Sequence, residues 1–327
     1  MRVALLERLP TDRLIAAEAP DPVPAQDELV VRIEACGICG TDLHIMAGQS
    51  YQPPVPFVLG HEPVGVVVQS GSKELDHWVG RRVTMTIFEG CGKCDLCKSG
   101  SERLCNEPQT AIGALGRWGG FAELMAIPAA QAVDVPLGLS SPKAASLVDA
   151  GATAANSLEK LTITPHTPVV VGGGPVGFFV AELMRYAQLQ PLVVEINSIR
   201  AAELERIGHR VVHGVGELDA RPDAVVDCTG APEVLPWALD ALLPRGTFVA
   251  ASYAVISGLN MALVSRKELT IRGVRSGSRS DLVDVLDLAA SQRIRMPNIR
   301  TWGLVEINEA LAELRAGSVA GKAVIVP

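Results

Sequence analysis

The first ninety residues set short apolar runs between turn residues. Residues 28–34, 65–69 and 79–87 are rich in valine, leucine and isoleucine and are separated by proline and glycine, so this part reads as mostly β. Residues 1–7 read as a strand that begins the fold. Beyond residue 140 the pattern changes. Residues 144–154 are small and apolar and read as a helix carrying one conspicuous carboxylate, Asp149, which would be costly to bury unpaired. Residues 167–171 form an apolar strand, 172–177 a glycine turn, and the following residues a helix. Further strands at 191–195, 224–230 and 246–252 alternate with helical stretches, as a doubly wound parallel sheet requires. Residues 269–274 read as its last strand, 281–290 as a helix and 321–326 as a closing strand, the last two returning to the first domain. Neither an internal repeat nor a low-complexity segment interrupts this order.

A length of 327 residues suggests two domains. With 48% hydrophobic and 20% charged residues the composition is globular, and 4% aromatics point to aliphatic packing. A net charge of −7 with no basic cluster argues against a nucleic-acid or anionic-membrane partner. The start lacks the apolar core and cleavage site of a signal peptide. The longest apolar stretch, 169–181, is too short to span a membrane and is broken by Gly172, Gly173, Gly174, Pro175 and Gly177. The expectation is a soluble, cytoplasmic protein.

The cysteines add chemistry. Cys91, Cys94, Cys97 and Cys105 sit in one short segment with spacings that let a loop wrap a tetrahedral ion, which points to a closed, structural zinc site in a reducing compartment. Cys228 has no cysteine or histidine neighbour and reads as a small core residue. Cys36 and Cys39 form a C-x-x-C, the pattern also of a redox pair or half a structural zinc site. Their company differs, however: Asp42 and His44 follow at once, and His61 and Glu62 about twenty residues on. Thiolate, imidazole and carboxylate suit Zn²⁺, and a catalytic zinc takes three protein ligands with one position open.

Downstream, Gly172, Gly174 and Gly177 make a G-x-G-x-x-G between strand and helix, with Pro175 and Val176 inside it. The first glycine allows the tight turn, the second the approach of a pyrophosphate, the third close helix packing. Glu195 ends the next strand eighteen residues past Gly177, where ribose hydroxyls should lie, and its charge favours NAD over NADP. Arg200, five positions later, keeps NADP open as the minority reading.

Together these motifs resemble the zinc-dependent medium-chain dehydrogenase/reductase family, the zinc alcohol dehydrogenases, over nearly the whole chain. The resemblance implies an α/β fold: a GroES-like, mostly-β catalytic domain over 1–148 and 280–327 with a structural-zinc lobe at 91–105, and a Rossmann NAD-binding domain over 149–279. It implies two zinc ions per chain. Cys39, His61 and Asp149 would hold the catalytic one, Asp149 standing where the family often has cysteine, and Cys36 would not ligate. Against this, Asp149 also reads as a helix cap at a domain junction. By the same match Thr41 takes the alcohol proton, His44 hands it to solvent, Glu62 lies beside the metal as a catalytic residue that can assist ligand exchange, and Asp42 orients the His61 ring; alone, these are turn or capping groups or an exposed histidine. Arg200 matches a residue that contacts the adenosine ribose, and residues 119–123 match a strand returning to the catalytic core. Gly40 is familiar from polyol, threonine and secondary-alcohol dehydrogenases, and Ile87 falls near the substrate pocket. The implied activity is hydride transfer between a secondary alcohol or polyol and NAD, in a homodimer or homotetramer. A biosynthetic ketone or imine reductase using NAD(P)H is the first alternative; a non-catalytic binding or structural protein is the second.

Overall fold

Buried along nearly its whole length, the strand Glu28–Gly37 is the one to which the first unit is tied. The structure, a computed structural model, describes residues 1–107, 110–253, 255–257 and 259–327. Glu28–Gly37 pairs antiparallel with Glu62–Ser70 on one edge; on the other, residues 28–32 pair with Leu124–Pro128 and the Cys36–Gly37 end with Lys322–Val326. Arg82–Met85, Ala132–Asp134 and Ile299–Gly303 complete a seven-stranded sheet among the described residues. A smaller sheet joins Ile15–Glu18, Arg2–Leu6 and Phe57–Val58. The register matters more than the count. Gly37 lies opposite Glu62 and Cys36 opposite Pro63, so the His61–Glu62 segment is fixed beside the end of the strand that leads into Cys39.

Two expected elements take another form. The stretch 119–123 is not a strand: only Ala122 bridges, to Val3, and the strand proper is Leu124–Pro128. Gly119 and Gly120 donate their N–H groups to Val58 and Gly60, and a Cβ on Gly119 would lie 2.3 Å from the Gly60 carbonyl oxygen, so backbone packs on backbone. The helix expected over 144–154 is divided into Ser141–Ala145 and Ala150–Glu159 by a turn at 146–149. Ser146 Oγ donates to the Lys143 carbonyl, and Leu147 and Val148 make tightened bonds three residues back. Asp149 therefore ends the turn rather than sitting mid-helix.

The chain divides into two units: Met1–Asp149 with Ser278–Ala290 and Ile299–Pro327, and Ala150–Gly277 with Ser291–Asn298. Residues 291–298, which the sequence placed in the catalytic domain, group with the second unit because Arg295 binds Glu182 and the Asn298 N–H donates to Glu203. The second unit is an all-parallel six-stranded sheet among the described residues. Its order is Arg210–Val212, Leu192–Val194, Pro168–Val171, Ala224–Asp227, Thr247–Ala250, Thr270–Gly273. In chain sequence that is 3-2-1-4-5-6, the doubly wound order whose crevice lies where the winding reverses, beside Pro168–Val171. Its core includes Val169, Val171, Val225, Leu239 and Phe248. No helix among the described residues is long and apolar enough to cross a membrane.

Candidate active site

Cys39 caps the short helix Gly40–Met46, whose third residue, Asp42, accepts the Cys39 N–H at 2.9 Å. This brings a buried carboxylate under the His61 ring, with Asp42 Oδ1 3.4 Å from His61 Nδ1. On the ring's other side Asp149 Oδ2 lies 3.8 Å from His61 Nε2 and 3.8 Å from Cys39 Sγ. The ligand atoms of Cys39, His61, Glu62 and Asp149 all fall within 4.8 Å of one another. Thr41 Oγ1 is 3.7 Å from Cys39 Sγ, and His44 is exposed on the same helix. Cys36 is fully buried behind Gly60 and Gly120 and stands outside the cluster.

The donors fit a metal. His61 is 3% exposed, yet neither ring nitrogen has a hydrogen-bond partner, and Asp42 Oδ1 has none either. Buried polar groups are ordinarily satisfied, so a ring with both nitrogens orphaned calls for a cation. Burial opposes a charge on His61, but Asp42, Asp149 and Cys39 together lift its pKa well above the usual histidine value. A field that attracts a proton that strongly attracts a dication too. The 3.8 Å separations exceed by a few tenths of an ångström the roughly 3.4–3.6 Å edges of a tetrahedral site with these ligands.

The lobe is tighter. Cys91 and Cys97 sulfurs are 3.9 Å apart, Cys94 and Cys105 sulfurs 3.8 Å, against the edge of about 3.8 Å that Zn–S bonds of about 2.3 Å give a tetrahedron. All four cysteines are free thiols. Backbone N–H groups of Lys93 and Cys94 pull the Cys91 thiol down to about 6, toward the thiolate a metal needs, while burial pushes Cys97 up to about 12.

In the second unit Gly172 adopts φ +92°, a conformation open to glycine, and a Cβ on Gly177 would lie 1.8 Å from the Gly172 carbonyl oxygen. Gly174 caps the helix that Pro175 and Val176 begin, and the space where its Cβ would be is open. Glu195, 4% exposed, accepts the Gly173 N–H through Oε2 and the Asn197 N–H through Oε1, each at 2.7 Å. Arg200 Nε lies 3.2 Å from Glu195 Oε2. The carboxylate thus braces the glycine turn as well as facing the end of its strand.

Two residues escaped the sequence reading. Lys322 is 1% exposed and bonded to Glu62, and Gly37 has no room for a side chain because a Cβ would lie 1.8 Å from Glu62 Oε2. The signal for Lys322 was a lone charge at the head of an apolar closing strand; Gly37 left none.

Residues 25–137 match the alcohol dehydrogenase GroES-like domain family, and 200–325 the zinc-binding dehydrogenase family. The chain is 31% identical over 317 residues to a probable alcohol dehydrogenase, AdhA, of Mycobacterium tuberculosis, covering 93% of this chain and 90% of that one. It is 28% identical over 326 residues to an alcohol dehydrogenase of Geobacillus stearothermophilus, covering 94% of each. Among solved structures, a cobalt- and zinc-bound thermostable alcohol dehydrogenase from Pyrobaculum aerophilum superposes with a TM-score of 0.89 at 27% identity, covering 100% of this chain and 99% of that one.

Proposed function

This chain belongs to the zinc-binding alcohol dehydrogenase family, and from that premise we propose that it transfers a hydride between a secondary alcohol or polyol and NAD, with the catalytic zinc held by Cys39, His61 and Asp149. The observation that supports this most is the buried His61 ring, orphaned at both nitrogens and set between Asp42 and Asp149 beside the Cys39 thiol. Bound zinc supplies a Lewis acid for the alcohol oxygen, and NAD the hydride acceptor.

The chain's own residues do the rest. Asp42, fixed by the Cys39 N–H, faces His61 Nδ1 and so orients Nε2 toward Asp149 and Cys39. Thr41 takes the alcohol proton through its hydroxyl, and His44, exposed further along the helix, passes it to solvent. Gly172, Gly174 and Gly177 leave room for the pyrophosphate at the head of a twelve-residue helix. Glu195 receives the ribose hydroxyls on the lone pairs its backbone partners leave free, Arg200 contacts the same sugar, and the Glu195 charge repels a 2′-phosphate. The four lobe cysteines hold the second zinc and stay out of turnover. In this reading the enzyme works in the cytoplasm, where its thiolate ligands stay reduced, as a homodimer or homotetramer.

Initial rates of the zinc-loaded protein with NAD and NADP, across primary alcohols, secondary alcohols, polyols and threonine, test the proposal. Turnover confined to secondary alcohols or polyols with NAD is expected. Preference for NADP would refute the role given to Glu195, and silence with every alcohol while the corresponding ketones are reduced would reverse the working direction.

A further inference from the structure

The metal cluster holds one donor too many. A zinc site that turns over substrate needs three protein ligands and an open position, whereas four protein ligands close it. The fold brings Cys39, His61, Asp149 and also Glu62 to within 4.8 Å of one another. Glu62 is fully buried, so water cannot compete for its carboxylate. What does compete is Lys322, whose Nζ is 2.7 Å from Oε1 and 2.5 Å from Oε2.

The pair is built in from three strands. Glu62 begins the strand opposite Gly37, Lys322 begins the strand whose Val324 pairs with Gly37 on the other edge, and Gly37 between them has no Cβ. A methyl group there would meet Glu62 Oε2 at 1.8 Å and Lys322 Cε at 2.9 Å. The ammonium also balances charge: Cys39, Asp149, Asp42 and Glu62 would set as many as four negative charges against one dication. An unpaired buried carboxylate is costly, and without Lys322 a metal held by Cys39, His61 and Asp149 would be the cation left to draw Glu62.

We propose that Lys322 is a positioning residue that keeps the catalytic metal site open: by its hydrogen bond to Glu62 Oε1 and its charge 2.5 Å from Oε2 it withholds the fourth donor and leaves that position to the substrate oxygen. This rests on the reading that Cys39, His61 and Asp149 hold the metal.

The test uses the whole enzyme loaded with cobalt(II), whose visible spectrum reports ligand number and type. The difference spectrum against Cys39→Ser isolates this site from the four-cysteine lobe. Lys322→Met should change that spectrum to one with an added carboxylate and slow metal release to a chelator by about tenfold or more, the scale on which groups around a metal act. Lys322→Arg should restore the wild-type spectrum, and Lys322→Met/Glu62→Gln should abolish the change, which a merely structural role for the lysine would not predict. An unchanged spectrum with unchanged or faster release in Lys322→Met overturns the proposal. Should Lys322→Met not fold, Glu62→Gln alone decides: its spectrum should equal wild type, and a shift would mean that Glu62 already ligates. Cobalt uptake identical in wild type and Cys39→Ser would instead refute the metal assignment itself.

Discussion

Gly37 shows how closely the residues around the metal cluster are fitted. Gly37→Ala forces a methyl group into the Glu62–Lys322 pair, where no flexible end can retreat without breaking a buried ion pair. A loss of about 1–3 kcal/mol is expected, seen as a Tm lower by several degrees in thermal unfolding. Cys39→Ser makes the opposite kind of change, removing one proposed ligand and leaving the other donors of the cluster in place. Turnover should fall at least about a thousandfold, and metal analysis should show one zinc per chain instead of two. Cys39, His61 and Asp149 became candidates because the spacing of a thiol, an imidazole and a carboxylate resembles that of a known family, with side chains that suit zinc. The sequence could not mark Lys322 in the same way, since a lysine at a strand end is ordinarily solvated and only the pairing of distant strands shows that this one is not.

At the scale of elements, the glycine turn and the strand that follows it act as one piece. Glu195 holds Gly173 and Asn197 by their N–H groups, so Glu195→Ala frees the turn as well as removing the acceptor proposed for the sugar. Charge-assisted bonds of this kind contribute about 1.5–3 kcal/mol each, so the KM for NAD should rise by about tenfold or more, and the NAD/NADP ratio of kcat/KM should fall. Initial-rate measurements with both cofactors check this. The parallel strands and the glycine turn were readable because apolar runs bounded by glycine leave few alternatives. The break at 146–149 was not, since small apolar residues allow a continuous helix, and a side-chain bond from Ser146 with the tightened turn decided against it. Without that break Asp149 would sit mid-helix; with it, the carboxylate ends the turn 3.8 Å from both Cys39 and His61.

At the scale of the whole molecule, the four-cysteine lobe and the buried Glu182 cluster bear on stability rather than on turnover. In the lobe, Cys94→Ser should release one zinc and lower Tm by about 10 °C or more, while turnover per folded chain falls far less than in Cys39→Ser. In the second unit, Glu182 is fully buried among His209, Arg185 and Arg295; burial opposes its charge, but their hydrogen bonds hold its carboxyl well below the usual range. A depressed carboxylate stabilises the fold above its unfolded pKa, and that stability is lost as pH falls from there toward the folded value. Glu182→Gln should therefore lower stability near neutrality and flatten the acid limb of a stability–pH curve measured by denaturant unfolding. By itself the sequence determined most of the order of elements, the four-cysteine spacing and the nucleotide turn, because each depends on local periodicity or on side chains with unusual chemistry; the set Cys39, His61 and Asp149 came from the family resemblance. Only the tertiary structure decided that segment 291–298 joins the second unit through Glu182 and Glu203, that Asp149 ends a turn, and that Lys322 covers Glu62. The first and last depend on distant groups meeting away from water, where an ionic or charge-assisted partner within hydrogen-bond reach outweighs local propensity; the turn depends on a side-chain bond from Ser146 that the residue pattern leaves optional.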